Sequence, residues 1–103
     1  MYLDKNFRKL RIVGKTSDDK SVLAGIFPIV NSEGIALDIM IETCKDEGYV
    51  IDWLDFIYDS IRTGWKLDNT ISKIKAALDL IYGEQYSDEW LSGIEEWRAK
   101  TKL

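Results

Sequence analysis

VIDWLDFIYDSIRTG, at residues 50–64, shows a helical spacing of apolar side chains in the middle of the chain. Its apolar positions recur three and four residues apart, so one face of a helix would carry Leu54, Ile57, Tyr58 and Ile61. Gly64 follows the last of them, as glycine commonly does where a helix ends. This run therefore predicts an amphipathic helix that ends at Gly64.

The segments on either side of this run predict a mainly helical protein. Two segments with helical spacing follow it and begin near Asp68 and Ser87. One precedes it at residues 35–47, where a stripe holds Leu37, Met40, Ile41 and Cys44. We predict a mainly α fold, a single small domain of five or six short helices over residues 1–103. Residues 1–32 would form its basic N-terminal part and residues 33–103 its acidic helical part.

Residues 8–27 are open to two interpretations. Helices are favoured, because Ser17 followed by Asp18 and Asp19 is typical of a helix start. A β-hairpin that turns at residues 16–20 is the alternative, since apolar and other residues alternate at Val22, Ala24 and Ile26. The alternative fold is α+β, with an N-terminal β-hairpin packed on four helices.

The composition excludes several classes of functional site. The chain has no histidine and one cysteine, Cys44. It can therefore form no internal disulfide, no Cys/His zinc site and no catalytic group that uses histidine as its base. A phosphate-binding loop is excluded as well, because Gly14-Lys15-Thr16 has Lys9 where that motif needs its first glycine. We predict no enzyme activity, no catalytic residue, no metal site and no cofactor.

Two features predict the compartment. No apolar run approaches the roughly 20 residues that a membrane-spanning helix needs, and the first residues lack the apolar core of a secretion signal. The lone cysteine fits a reducing environment. We therefore expect a cytoplasmic protein with no membrane partner.

The charges are unevenly distributed along the chain, whose net charge is −4. Residues 1–32 carry six bases and three acids, whereas residues 33–60 carry eight acids and one base, Lys45. Either the two parts attract each other within the protein, or the acidic centre meets a basic partner. The acids could also bind a hard cation such as Mg²⁺ if the fold brought them together.

Trp53 and Phe56 lie away from the predicted buried face of the central helix. With Leu54 at the centre of that face, a step of about 100° per residue puts Phe56 about 160° away. Either the N-terminal third of the chain covers these aromatic residues, or they face a partner, for which large aromatic residues are typical anchors. We predict a partner-binding surface with Trp53 and Phe56 as anchors. The steering charges around them would be Asp38, Glu42, Asp52, Asp55 and Asp59.

These features predict a small, acidic, non-catalytic module that binds or inhibits another protein through a basic surface on that protein. The surface could be one that otherwise holds nucleic acid, so that the module competes with it. Small accessory proteins of phages and plasmids often have this character. A homodimer is the alternative protein partner.

A DNA-binding regulator with a helix-turn-helix at residues 55–78 is the second interpretation. Gly64 would lie in the turn, and Ser60 is the small residue four positions before it. The second helix would present Asn69, Thr70, Ser72 and Lys73 to the major groove and its phosphates. The neighbouring aspartates oppose this interpretation, because carboxylates repel phosphate. Nucleic acid is therefore the less favoured partner.

Overall fold

The structure, a computed structural model, describes residues 10–101 and contains five helices and three strands there. Predictions that fall on residues 1–9 and 102–103 lie outside this range. The helices are α1 (Ile26–Ser32), α2 (Leu37–Asp46), α3 (Trp53–Thr63), α4 (Leu67–Tyr82) and α5 (Glu84–Thr101). The strands are β1 (Arg11–Lys15), β2 (Ser21–Ala24) and β3 (Tyr49–Ile51). The predicted mainly helical class is confirmed, as are four helices after residue 34.

A β-hairpin occupies residues 11–24, so the favoured prediction of helices in this part of the chain was wrong. β1 pairs antiparallel with β2, and Ile12 lies opposite Leu23. A bulge interrupts the register between Ile12 and Gly14. The β-branched pair Ile12 and Val13 suits an extended strand better than a helix. The α+β alternative describes this part of the molecule correctly.

The turn of the hairpin explains why no helix begins at Ser17. The backbone N–H of Thr16 donates to the carbonyl of Lys20 at 2.8 Å and closes the turn. Within it, Asp19 has a φ of 66°, a left-handed conformation that aspartate adopts more readily than most residues. A right-handed helix cannot continue through this position.

A third strand, which the sequence did not indicate, completes the sheet. β3 runs parallel to β2, the strand order is β1-β2-β3, and Val22 lies opposite Val50. Parallel neighbours need a crossover connection, and here the crossover contains α1 and α2. Three residues are too few to show the alternation typical of a strand, so Val50 and Ile51 were assigned to the following helix.

One hydrophobic core joins the sheet to the helices. Its largest fully buried apolar side chains come from α1 to α4 and are Phe56, Ile26, Met40, Ile41, Ile57, Ile74 and Leu78. The outermost helix, α5, has two buried residues, Ser87 and Ile94. Its half-buried Trp90 and Trp97 pack against the core. In the described part of the chain, no helix is both long and apolar enough to cross a membrane.

Candidate functional site: a groove between α2 and α4

An open groove with a volume of about 400 Å³ lies between α2 and α4. That volume is within the range of about 300–1,000 Å³ typical of ligand-binding clefts. Its lining is mostly apolar, with one carboxylate and one amine, and consists of Val30, Leu37, Asp38, Phe56, Trp65, Lys73, Ala76, Ala77 and Leu80. The groove can therefore take an apolar group and offers it one charge of each sign.

α4 forms one wall of the groove. Its lining residues Lys73, Ala76, Ala77 and Leu80 recur three, one and three positions apart, and so share one face of the helix. The two alanines leave open the space that longer side chains would fill. Leu80 has 69% of its surface exposed, so the apolar lining extends to the surface of the molecule.

α2 forms the opposite wall and runs in the same direction as α4. At the C-terminal ends of both helices, Lys45 Nζ donates to the Ile81 carbonyl at 3.2 Å. The same Nζ lies 4.9 Å from the ring centroid of Tyr82. Asp38, two turns earlier in α2, lines the groove together with Lys73. The groove therefore runs along α4, from Trp65 and Lys73 towards Leu80.

Phe56 forms the floor of the groove and has 0% of its surface exposed. Its ring makes edge contacts with Phe27 and Trp53, with centroids 5.1 Å and 5.5 Å apart. The prediction that Phe56 is an exposed anchor for a partner was therefore wrong. It is a core residue that closes the groove from below.

A buried pair of hydroxyl groups explains why α3 turns Phe56 inwards. Ser60 Oγ lies 2.9 Å from Thr70 Oγ1, and both residues have no exposed surface. Because each hydroxyl has a partner, the hydrogen bond offsets the cost of removing Ser60 from water. The buried face of α3 is therefore centred on Phe56, Ile57 and Ser60, while Leu54 has 36% of its surface exposed.

Trp53 is half-buried at the start of α3 and has aromatic neighbours within the protein. Its ring centroid lies 5.5 Å from that of Phe56 and 6.2 Å from that of Trp90 in α5. These contacts hold the indole between α3 and α5. Trp53 and Phe56 therefore do not form the open aromatic surface that was predicted.

The three predicted aspartates at α3 have partners inside the protein. Asp52 caps α3 by accepting the N–H of Asp55 at 3.2 Å. Asp55 accepts the N–H of Gly25 at 2.9 Å and lies 3.4 Å from the Arg11 guanidinium. Asp59 forms an ion pair with a base one turn later in α3. Each of the three carboxylates therefore has a structural role within the protein. Their role in steering a partner protein stays a prediction.

The acidic side chains of α2 form no ion pair with any of the described residues. Asp38, Glu42 and Asp46 recur four positions apart and form what we call the acidic face of α2. Considering residues 10–101 only, no lysine or arginine nitrogen lies within ion-pair distance of these carboxylates. The same residues contain no group of three acidic or thiol side chains close enough to hold a metal ion.

The α3–α4 pair does not present every residue that the helix-turn-helix interpretation requires. Thr70 is fully buried against Ser60, so its predicted contact with DNA was wrong. Asn69, Ser72 and Lys73 are exposed. DNA binding through these remaining residues stays a prediction.

A polar cluster between α4 and α5 was not anticipated from the sequence. Lys75 Nζ lies 3.3 Å from carboxylate oxygens of both Asp79 and Asp88, and the buried Ser87 hydroxyl donates to Asp79. The hydrogen bond to Asp88 raises the pKa of Lys75 above its usual value. The cluster therefore joins α4 and α5 through one ammonium group, one hydroxyl and two carboxylates.

Cys44 is a buried thiol in α2 whose environment makes it unreactive. Burial raises its pKa from 9.0 to about 11, and the thiolate is the reactive form. We expect Ellman's reagent at about pH 8 to modify native protein slowly and urea-unfolded protein at once. Rapid modification of the native protein, at a rate close to that of the unfolded chain, would contradict this assignment.

The raised pKa of Cys44 also makes the stability of the protein depend on pH. The unfolded thiol ionises first, near 9.0, while the folded thiol holds its proton up to a pKa of about 11. The free energy of unfolding should therefore fall as the pH rises through this window, because the native state binds more protons. Urea titrations at several pH values measure the fall, and Cys44→Ala should make it smaller.

The groove itself was not predicted, although three of its residues were candidates: Asp38 and Phe56 for a protein partner, and Lys73 for DNA. The stripe from Lys73 to Leu80 could have indicated one wall, since small residues recur there on a helix face. Val30 and Trp65 come from distant segments, and only the fold brings them together.

Comparisons with known proteins find no match, whether to family models, to curated proteins or to solved structures. The geometry of the groove is therefore the basis for a functional assignment.

Proposed function

We propose that the protein is a non-catalytic binding module whose groove between α2 and α4 receives an apolar side chain of a partner protein. The observation that carries the proposal is the apolar groove itself, which is open to the surface and has the fully buried Phe56 as its floor. Helical segments of proteins commonly dock in grooves of this kind through apolar side chains on one face.

A protein segment fits the groove better than a small molecule does. Clefts for small molecules usually enclose most of the ligand surface, whereas this groove is open and continues to the exposed Leu80. The lining also holds a single carboxylate and a single amine, those of Asp38 and Lys73. Neither is paired with a nucleophile in the groove, which favours binding over catalysis.

The charge of α2 indicates which partner would bind. Asp38 borders the groove, and Glu42 follows it one turn later on the acidic face of α2. A basic residue beside the partner's apolar side chain would complement these carboxylates and speed association at low salt. This retains the basic partner predicted from the sequence, together with the predicted steering residues Asp38 and Glu42, and omits the predicted anchors of α3.

Inhibition is the form of binding that we propose for a partner whose basic surface otherwise holds nucleic acid. The module would cover that surface with the acidic face of α2. We propose the cytoplasm as its compartment, since Cys44 is a free thiol and free thiols persist in reducing environments.

Filling the groove should weaken binding of a partner segment. The probe is an acetylated and amidated helical peptide with leucines along one face and lysines on its flanks. Burying one leucine contributes about 1.5–3 kcal/mol, so Ala76→Phe should weaken binding by at least about tenfold. Chemical-shift changes in NMR spectra of the labelled protein measure both the affinity and the site.

Ala99→Phe is the matched control, because Ala99 is an exposed alanine of α5 that does not line the groove. It should leave peptide binding unchanged. Peptide-induced shifts that avoid Asp38, Lys73 and Leu80, or equal binding by Ala76→Phe, would refute the proposed function.

A further inference from the structure

A second cavity adjoins the groove on the far side of Trp65. Its volume is about 380 Å³, and its lining consists of Gly64, Trp65, Lys66, Asn69 and Lys73. Trp65 and Lys73 line both the groove and this cavity. A single bound segment could therefore occupy the two spaces together.

The cavity beyond Trp65 is positively charged. Two lysines and one amide supply its polar side chains, and none of the described residues that line it carries a carboxylate. In the described range of residues, neither Lys66 nor Lys73 has a carboxylate within ion-pair distance. The neighbouring Asp68 is paired with Arg98, at 2.6 Å. The two lysines thus keep their charge for a ligand.

Trp65 separates the apolar groove from the charged cavity. Its ring packs edge-on against Phe27, with centroids 5.0 Å apart, which fixes the position of the indole. Lys73 Nζ lies 5.7 Å from the Trp65 ring centroid, a cation–π distance. A group that passes over the indole moves from a mostly apolar lining, which includes Lys73, to one that adds Lys66 and Asn69.

We propose that the cavity beyond Trp65 binds an acidic side chain of the same partner segment whose apolar side chain enters the groove. This inference rests on the proposed function and adds the partner's chemistry. The segment carries a carboxylate for Lys66 and Lys73, with Asn69 as a further donor. Its apolar side chain lies over Phe56, and its basic residue meets Asp38 and Glu42. The partner segment therefore carries charges of both signs beside its apolar side chain.

The test compares two helical probe peptides that are acetylated and amidated, so that neither has a terminal carboxylate. They share leucines and lysines and differ by one glutamate, which is glutamine in the second peptide. The glutamate peptide should bind wild-type protein about fivefold more tightly, equivalent to about 1 kcal/mol. This advantage should fall below about twofold in the Lys66→Gln, Lys73→Gln variant.

Lys15→Gln, Lys20→Gln is the matched control, because it also removes two charges, from hairpin residues that do not line either space. It should keep the fivefold preference.

Equal affinity of both peptides for wild-type protein would overturn the inference and leave the proposed function standing. If neither peptide shifted the groove amides, the proposed function would fail as well. Inorganic phosphate that shifted the same amides and displaced neither peptide would assign the cavity to a free anion and also overturn the inference.

Discussion

Phe56→Ala should lower the free energy of unfolding by about 3–5 kcal/mol, the range found when a buried phenylalanine is truncated. Phe56 has no exposed surface and makes edge contacts with two other rings, so the surrounding side chains cannot fill the space by a small shift. For a domain of this size the melting temperature should fall by more than about 12 °C. Urea and thermal unfolding, followed by circular dichroism, measure both quantities.

Leu80→Ala is the control for this prediction. Leu80 lines the same groove but has 69% of its surface exposed, and exposed substitutions usually change stability by less than about 0.5 kcal/mol. Comparing the free energies of unfolding of the two variants therefore distinguishes the buried floor of the groove from its exposed rim. A loss below about 1 kcal/mol for Phe56→Ala would contradict the placement of this ring in the core.

Asp55→Ala should destabilise the protein by about 1–3 kcal/mol. The Asp55 side chain has 17% of its surface exposed and accepts the N–H of Gly25 at 2.9 Å. Gly25 is buried where β2 gives way to α1, so its N–H would be left without a partner. The variant also loses the contact with the Arg11 guanidinium. Urea unfolding measures the change.

Two further variants identify the cause of that loss. Asp55→Asn keeps an oxygen that can accept the N–H of Gly25, so it should recover most of the stability. Asp59→Ala removes the exposed ion pair one turn later and should cost less than about 1 kcal/mol. Equal losses in Asp55→Asn and Asp55→Ala would assign the effect to charge and contradict the role of the hydrogen bond.

The fold could be predicted from the sequence in segments where apolar residues recur at helical spacing over several turns. The helices that became α2 to α5 were anticipated, and Gly64 ends α3 in the left-handed conformation with a φ of 106°. Short elements could not be resolved in this way. Ser17 with two acids after it is compatible with a helix start, and only the left-handed Asp19 distinguishes a hairpin turn there.

The candidate site was harder to predict, because it depends on which face each helix turns towards the core. Leu54 and Tyr58 are apolar positions of α3 that stay exposed, while the polar Ser60 is buried. The partner that makes this burial possible, Thr70, lies in the next helix. The apolar period of a single helix contains no information on such a pairing. For that reason Phe56 was assigned to the surface although it forms the floor of the groove.

The parallel pairing of β2 with β3 has a consequence for the order in which a chain leaving the ribosome can fold. The β1–β2 hairpin is local and can form as soon as residue 24 has emerged. Leu23, however, has its neighbour Ile51 in β3, and that strand is made only after both helices of the crossover. During this interval the edge of β2 that pairs with β3 is open to contacts with other chains. Slower translation through residues 25–51 should therefore increase co-translational aggregation.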